Sequence, residues 1–259
     1  MQKLKGKVAI VSGSSKGIGC AIAQRLASEG ASVVLCARTE TALDQVVREI
    51  EAKDGRASAI ALDLRLPGAP ARLAEFALKT YDRIDIVVNN AGATKRGEFE
   101  QLTDDDWADG FALKFFGAVR LIRAAWPALK ASSGSVLNIS GAGGRTPGAA
   151  FTIGGSVNAA LLSLTKALAD LGIRDGVQVN TINPGTVRTG RLQVRLAEIM
   201  KQKGIDLPEA EKEIVRSPTI TRIGEPEDIA GLAAFIVGPE GRFLQGALID
   251  MDGGSTKTI

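Results

Sequence analysis

Short runs of β-branched and aliphatic residues alternate with longer helical patterns along almost the whole chain. The short runs predict strands near 7–12, 32–37, 57–62, 84–90, 134–140, 176–182 and 246–250. Strands that alternate with helices pair in parallel through right-handed crossovers, and the helices cover both faces of the sheet. Ligands of such sheets bind at the carboxyl ends of the strands. The sequence therefore predicts an α/β fold whose functional residues directly follow strands.

Length, charge and cysteine usage set further limits. The chain has 259 residues, 45% of them hydrophobic, which suits one large domain. A net charge of +3 without dense runs of Lys and Arg argues against nucleic acid or an anionic membrane as a partner. No segment approaches about 18 uninterrupted apolar residues, and no signal peptide is recognisable, so we expect a cytoplasmic protein. Cys20 and Cys36 lack paired spacing and predict reduced core thiols rather than a disulfide or a metal site.

A glycine-rich turn joins the first predicted strand to an apolar-periodic helix, and it reads Ser12-Gly13-Ser14-Ser15-Lys16-Gly17-Ile18-Gly19. Glycines let the backbone approach a ligand closely, and a helix N-terminus directs free amides at an anion. Because the turn lies in the first βαβ unit, it predicts nucleotide binding rather than only tight packing. The predicted contacts are Gly13, Ser15, Lys16, Gly17, Ile18 and Gly19.

The residue after the second strand distinguishes the two nicotinamide dinucleotides. An acid there binds the ribose 2′-hydroxyl of NAD, whereas an arginine accepts the 2′-phosphate of NADP. This chain has Arg38 at that position and Lys16 in the glycine turn. Two cations without an acid favour NADP (NADPH). The alternative is that both are solvated surface charges.

Further motifs follow the other strands: Asp63 after the third, Asn89-Asn90-Ala91-Gly92 after the fourth, Pro184-Gly185 with Thr189 after the sixth, and Asp252-Gly253-Gly254 after the last. Together with the glycine turn they resemble the short-chain dehydrogenase/reductase family from Gly6 to Gly254. The resemblance implies a seven-stranded Rossmann fold, a homodimer or homotetramer, and a small-molecule substrate. It also implies cofactor contacts, with adenine near Asp63, with adenosine and ribose along Asn90, Ala91 and Gly92, and with nicotinamide around Pro184, Gly185 and Thr189.

The tyrosine and lysine of the family's catalytic tetrad of Asn, Ser, Tyr and Lys are absent from their expected helix. Family members carry them as Tyr-x-x-x-Lys after the fifth strand. The segment 159–169 is similar to the family sequence directly after that lysine, which places Asn158 at the lysine position and Gly154 at the tyrosine position. The only tyrosine, Tyr81, precedes the fourth strand, and the chain has no histidine. The tyrosine mechanism of the family is therefore not available to this chain.

The two other tetrad positions also differ from the family. The serine position falls on Gly141, although a shift of one residue would restore Ser140. The asparagine position falls on Lys114. Ser140 and Ser156 are the nearby hydroxyls, and each either orients a substrate or bonds to the local backbone.

The substitutions at Lys114 and Asn158 suggest that an ammonium and an amide have exchanged places. In the family these two positions are linked through a bound water, so the resemblance implies that Lys114 and Asn158 are close. Asn158 would then bond the nicotinamide ribose, and Lys114 would place a cation near the substrate carbonyl. With a reference pKa of about 10.4, Lys114 would stabilise a developing alkoxide and donate its proton only if burial lowered that value. The alternative is that Lys114 extends to solvent and Asn158 bonds backbone groups.

A polar, irregular insertion at 186–225 interrupts the alternation before a helix predicted to begin at Pro226. We expect residues 1–259 to form a single dinucleotide-binding domain in which this insertion covers the substrate. Cations outnumber acids in its first part: Arg188, Arg191, Arg195, Lys201 and Lys203. They either receive a carboxylate or phosphate on the substrate or form a solvated helix face.

Two functions remain open. The first is an NADP(H)-dependent oxidoreductase that acts on an unidentified carbonyl or alcohol by a non-standard, tyrosine-independent mechanism. Holding the reactants together contributes roughly 7–11 kcal/mol, whereas a general acid contributes about 10²–10⁴ in rate, so hydride transfer can survive loss of the tyrosine. The second is a catalytically silent member that binds the nucleotide in a structural or regulatory role.

Overall fold

The structure is a computed structural model that describes residues 2–216 and 220–258. Its strands are β1 (Val8–Ser12), β2 (Ser32–Ala37), β3 (Arg56–Ala61), β4 (Ile86–Asn89), β5 (Ser135–Ile139), β6 (Gln178–Pro184) and β7 (Leu248–Met251). They form one parallel sheet of seven strands in the order β3-β2-β1-β4-β5-β6-β7. The predicted strands and the predicted single-domain Rossmann fold are confirmed.

Nine α-helices lie in the described residues: α1 (Gly17–Ser28), α2 (Glu40–Glu51), α3 (Ala69–Tyr81), α4 (Asp104–Phe111), α5 (Gly117–Ser132), α6 (Thr152–Asp175), α7 (Gly190–Lys203), α8 (Leu207–Arg216) and α9 (Pro226–Val237). A π-helical segment, Ala112–Phe116, joins α4 to α5. Alternate residues of β1 point to opposite faces of the sheet. Ala9 and Val11 pack in the core beneath α1, α2 and α9, whereas Val8 and Ile10 pack beneath α3 and α5. Both faces of the sheet are therefore covered.

The strand order reverses between β1 and β4, because the chain runs outward from β1 to β3 and then returns to the other side of β1. At the carboxyl ends of these two strands, Ser12 Oγ accepts hydrogen bonds from the amides of Asn90 (3.0 Å) and Ala91 (3.1 Å). These two hydrogen bonds connect the end of β1 to the segment after β4. The reversal point is where open parallel sheets bind their ligands.

The described part of the insertion at 186–225 is largely helical, so its description as irregular was wrong. It contains α7 and α8, which pack around a small core of their own: Leu192, Leu196, Ala210, Ile214 and Ile223. These apolar residues recur at helical spacing, but the many charges between them obscure the pattern. The following helix begins at Pro226 as predicted, and Glu225 and Asp228 form its capping box. Residues 217–219 of the insertion lie outside the described residues.

Cys20 lies on α1 and Cys36 on β2, and both are free thiols. Burial raises the pKa of the Cys36 thiol to about 12, so this group stays protonated and inert. Across residues 2–216 and 220–258, no three His, Cys, Asp or Glu side chains are grouped as metal ligands. No described helix combines the length and the apolar character that crossing a bilayer requires.

Asp85 holds together the amino-terminal edge of the sheet. Its carboxylate is 2% exposed and accepts hydrogen bonds from the Val8 amide (2.9 Å), Lys7 Nζ (3.0 Å) and the Arg83 guanidinium (2.8 and 2.7 Å). Burial opposes ionisation of this carboxyl. The bonds from Arg83, Val8 and Lys7 outweigh that effect, so the pKa of Asp85 lies below its usual value.

We predict that Asp85→Asn lowers the free energy of unfolding at pH 7 by about 1–3 kcal/mol, the scale of a hydrogen bond to a charged group. A depressed carboxyl pKa stabilises the fold above the unfolded value and loses this effect as the pH falls. The difference between wild type and variant should therefore shrink below about pH 4. Urea titrations at pH 7 and below pH 4 measure this difference, with Glu75→Gln, at an exposed position of α3, as the matched control. If the unfolding free energies of wild type and Asp85→Asn differed equally at pH 7 and below pH 4, the lowered pKa of Asp85 would be contradicted.

Candidate active site

The N-terminus of α1 is open to an anion. Lys16 precedes the helix in an extended conformation, no side chain caps the first turn, and the first turn contains no acid. The first amides of a helix have no partner within it, and the helix dipole places partial positive charge there. The turn before α1 can therefore bind a phosphate, as predicted for Gly17, Ile18 and Gly19.

The glycine turn packs closely against the segment after β4. Gly13 has φ +66°, and a Cβ there would lie 2.9 Å from Ala91 Cα. A Cβ at Gly19 would overlap the Asn90 side chain. Asn90 Nδ2 donates to the carbonyl oxygens of Ser12 and Gly13, each at 3.0 Å. The structure thus brings together these predicted cofactor residues from two separate motifs.

The end of β6 reaches the same turn. Pro184 is the last residue of β6, and Gly185 packs so closely on β7 that a Cβ would lie 2.6 Å from Asp252 Cα. Thr189 lies beside the glycine turn, because a Cβ at Gly17 would be 3.3 Å from Thr189 Cγ2. The segment from Pro184 to Thr189 therefore borders the α1 N-terminus.

The remaining predicted cofactor residues lie on the rim of this site. Lys16 and Arg38 are exposed, and within the part of the chain that the structure describes neither forms a hydrogen bond or ion pair. Asp63 is half-buried, and its Oδ1 accepts from the Arg65 amide (3.0 Å). Ser15 is half-buried within the turn. Both rim cations are thus available to a ligand.

Lys114 and Asn158 are in direct contact. Lys114 lies in the π-helical segment, and its Nζ donates to Asn158 Oδ1 (2.6 Å) and to the Ser140 carbonyl oxygen (2.7 Å). The expected proximity of the exchanged pair is therefore present. The alternative, in which Lys114 extends into solvent, is wrong because the side chain is half-buried and bonded inward.

Gly92 leaves room for the stem of Lys114. A Cβ at Gly92 would lie 2.8 Å from Lys114 Cδ. A side chain at position 92 would therefore displace Lys114 from its bonds. This contact places the Lys114 side chain next to Asn90-Ala91-Gly92, the segment that also packs against the glycine turn.

The protonation state of Lys114 is shifted towards neutrality. Burial, with a smaller contribution from the positive charge of Arg191, lowers the pKa of Lys114 to about 7. Both protonation states are then populated near neutral pH. The ammonium has three N–H donors, of which Asn158 and Ser140 use two. One donor remains for a further acceptor.

Ser140 and Gly141 differ in the direction they face. Ser140 is buried, and its Oγ donates to the Asn158 carbonyl oxygen at 3.1 Å, so this hydroxyl bonds the local backbone. A Cβ at Gly141 would lie 2.9 Å from Asn158 Nδ2. Position 141 is thus the one that faces the Asn158 amide. Ser156 is exposed on α6.

Phe151 occupies the space next to Gly154, and sequence reasoning missed it. A Cβ at Gly154 would overlap the Phe151 ring, and a Cβ at Gly143 would lie 3.0 Å from the same ring. The guanidinium carbon of Arg96 lies 3.9 Å from the centre of this ring, in a cation–π contact. The available signal was the spacing, since an aromatic residue three positions before a glycine lies on the same face of a helix.

Comparisons with known proteins agree with this architecture. The sequence matches the family described as Enoyl-(Acyl carrier protein) reductase over residues 13–256. It is 37% identical over 258 residues to an uncharacterised oxidoreductase of Mycobacterium tuberculosis, covering 99% of this chain and 94% of that protein. The L-sorbose reductase from Gluconobacter frateurii, solved with NADPH and L-sorbose, is 31% identical and superposes with a TM-score of 0.95 over 100% of both chains.

A third relative is a short chain dehydrogenase from Burkholderia cenocepacia solved in complex with NADP. It is 32% identical, with a TM-score of 0.87 over 98% of this chain and 99% of that one. Sequence and structure agree over nearly the full length of each of these relatives. The chain belongs to the short-chain dehydrogenase/reductase family.

Proposed function

We propose that this protein is an NADP(H)-dependent oxidoreductase that interconverts a carbonyl and an alcohol. In this proposal Lys114 takes the role of the family's catalytic tyrosine. The observation that carries the proposal is the position of Lys114 Nζ, held by Asn158 Oδ1 at 2.6 Å and the Ser140 carbonyl at 2.7 Å beside Gly92. The substrate remains an unidentified small molecule.

The described residues fit a nicotinamide dinucleotide. The uncapped amides of α1 and the glycines whose Cβ atoms would fill the turn suit a pyrophosphate. Arg38 and Lys16 would hold a 2′-phosphate, because they are exposed and free of partners in the described residues. Asp63 would border the adenine, and Pro184, Gly185 and Thr189 the nicotinamide. The NADPH and NADP bound to the Gluconobacter and Burkholderia relatives support this choice.

Bound cofactor supplies or accepts the hydride. In the reductive direction, the free N–H of Lys114 donates a proton to the carbonyl oxygen as that oxygen gains charge. Lys114 becomes a neutral amine and regains its proton from solvent. A pKa near 7 suits a general acid at neutral pH, so proton donation replaces the purely electrostatic role expected from the sequence.

In this proposal the tetrad positions are Lys114, Gly141, Gly154 and Asn158. Asn158 orients Lys114 through its Oδ1 and leaves its Nδ2 facing Gly141. That amide nitrogen is a donor for the nicotinamide ribose. The site would thus retain one cation, at Lys114, and one amide, at Asn158, in positions exchanged relative to the family. We expect the protein to act as a homodimer or homotetramer in the cytoplasm, as the sequence predicts.

A second candidate function draws on Phe151. Its ring fills the space beside Gly154, the position that the resemblance assigns to the catalytic tyrosine. If this ring also excludes the substrate carbonyl, the chain is a catalytically silent member that binds the nucleotide in a structural or regulatory role. Consumption of NADPH with a carbonyl panel separates the two candidates.

The first prediction concerns cofactor choice. Two charge-assisted contacts to the 2′-phosphate contribute roughly 1.5–3 kcal/mol each before solvent weakens them, so NADPH should bind at least about tenfold more tightly than NADH. Fluorescence titration measures both affinities. Arg38→Ala should remove most of the preference, and Arg72→Ala, an exposed arginine on α3, should keep it. Equal affinities in the wild type, or a preference for NADH, would contradict the assignment.

The second prediction concerns Lys114. Lys114→Met should lower kcat about a hundredfold or more, the scale of losing one preorganised donor, and keep the NADPH dissociation constant within a few fold. Because a general acid must be protonated, the reductive rate of the wild type should fall as the pH rises through about 7. The variant should lack this dependence. Lys166→Met, an exposed lysine on α6, is the control. An unchanged rate in Lys114→Met would favour the silent member.

The third prediction concerns the pairing of Phe151 with Gly154. Alanine at 154 overlaps the ring in the wild type, so Gly154→Ala should destabilise the protein by about 1–3 kcal/mol. In a Phe151→Ala background the ring is gone, and the better helix propensity of alanine should make the same change neutral or stabilising. Urea titration of the four proteins gives the coupling energy. If Gly154→Ala lowered the free energy of unfolding equally in both backgrounds, Phe151 would not be in contact with Gly154.

A further inference from the structure

Three arginines gather at the mouth of the candidate site, and we call Arg96, Arg191 and Arg195 the arginine cluster. Arg96 is stacked on Phe151 at 3.9 Å. Arg191 donates from Nη2 to the Gly92 carbonyl oxygen, next to Lys114. Arg195 lies four residues after Arg191 on α7, which places both on one face of that helix. The cluster thus joins the insertion to the segment after β4.

No carboxylate neutralises the cluster. Across residues 2–216 and 220–258, none of its three members forms an ion pair, and Arg96 and Arg195 form no side-chain hydrogen bond. Two other cations of the insertion are paired: Arg188 with Glu211 and Glu225, and Lys203 with Glu213. The two cluster arginines on α7 are exposed like these cations but, unlike them, have no carboxylate partner in the described residues.

The charges of the cluster oppose one another. Burial, and to a smaller extent the charge of Arg195, lowers the pKa of Arg96. The charge of Arg191 acts in the same direction on Lys114. Like charges this close disfavour their own ionised forms unless an anion lies among them. Three exposed arginines with no carboxylate among them create a positive potential that attracts an anion.

We propose that the substrate of this enzyme carries an oxyanion, a carboxylate or a phosphate, and that Arg96, Arg191 and Arg195 bind it beside Lys114. The proposal rests on the proposed function, because it names the substrate class of the same site. Guanidinium groups bind both anions through paired N–H donors. The pyrophosphate of the cofactor has its own donors at α1, so the cluster is free for the substrate. Holding the anion there would orient the carbonyl towards the free N–H of Lys114.

Anion binding tests the proposal without turnover. Full-length protein saturated with NADPH, so that the cofactor sites are filled, is titrated in a calorimeter with inorganic phosphate and, separately, with acetate. We expect one of the two to bind, and which one binds distinguishes a phosphate from a carboxylate. Arg96→Gln and Arg195→Gln, each checked for folding by circular dichroism, should weaken it at least about tenfold, the loss of one charge-assisted hydrogen bond.

Lys201→Gln is the matched control. It removes the same charge from α7, but Lys201 is six residues from Arg195 and lies on another face of the helix. It should leave anion affinity unchanged. Binding of neither anion, or equal affinity in the wild type and both arginine variants, would overturn the proposal. In the NADPH-free protein the turn before α1 also binds phosphate, so there only the binding that Arg96→Gln and Arg195→Gln remove belongs to the cluster.

Turnover separates this proposal from the proposed function. We expect kcat/KM for a carbonyl compound that carries the bound anion, an oxo acid or a phosphorylated ketone, to exceed that for its uncharged analogue at least about tenfold, and Arg195→Gln to remove the difference. Oxidation of NADPH with charged and uncharged carbonyl compounds alike would support the oxidoreductase and overturn the anion site. Anion binding that depends on the arginines, without any NADPH binding, would support the anion site and overturn the oxidoreductase.

Discussion

The ammonium of the half-buried Lys114 points inward and must find acceptors, and this requirement shapes the rest of the site. A buried charge is costly unless other groups bond it. The Ser140 carbonyl and Asn158 Oδ1 supply those bonds at 2.7 and 2.6 Å. A lysine at position 158, as in the family pattern, would place a second cation against the first. The amide at Asn158 and the cation at Lys114 are therefore mutually dependent, and the small Gly92 gives the lysine stem its path.

The same geometry separates the two sides of the site. On one side, the glycine turn, Asn90 and Thr189 form a cradle in which close backbone approach leaves no room for side chains at Gly13 and Gly19. On the other side, the Phe151 ring occupies the space that a side chain at position 154 would fill. The Arg96 guanidinium lies over the face of that ring. Lys114 lies between them. In the proposed function the first side holds the cofactor, and the second side, with its cations, binds the substrate.

Much of this arrangement follows from the sequence because it depends on local patterns. Alternation of short apolar runs with helical patterns predicted the seven strands, and the resemblance to the family implied that Lys114 and Asn158 are close. The contact between Phe151 and Arg96 was missed because Arg96 lies in the loop after β4, whose path no periodicity reveals. The insertion was misread as irregular because charges dilute its apolar stripe. The pKa of Lys114 depends on how far its neighbours exclude water, which only the fold determines.

We propose that Lys114 gives up its proton near neutral pH. Lysine labelled with ¹³C at Cε allows the pKa of each side chain to be followed by NMR, and loss of one signal in Lys114→Met assigns the resonance. The pKa of Lys114 should be about 7, well below the ordinary value of 10.5. A Lys114 resonance that titrates near 10.5 with the other lysines would contradict the proposed proton donor.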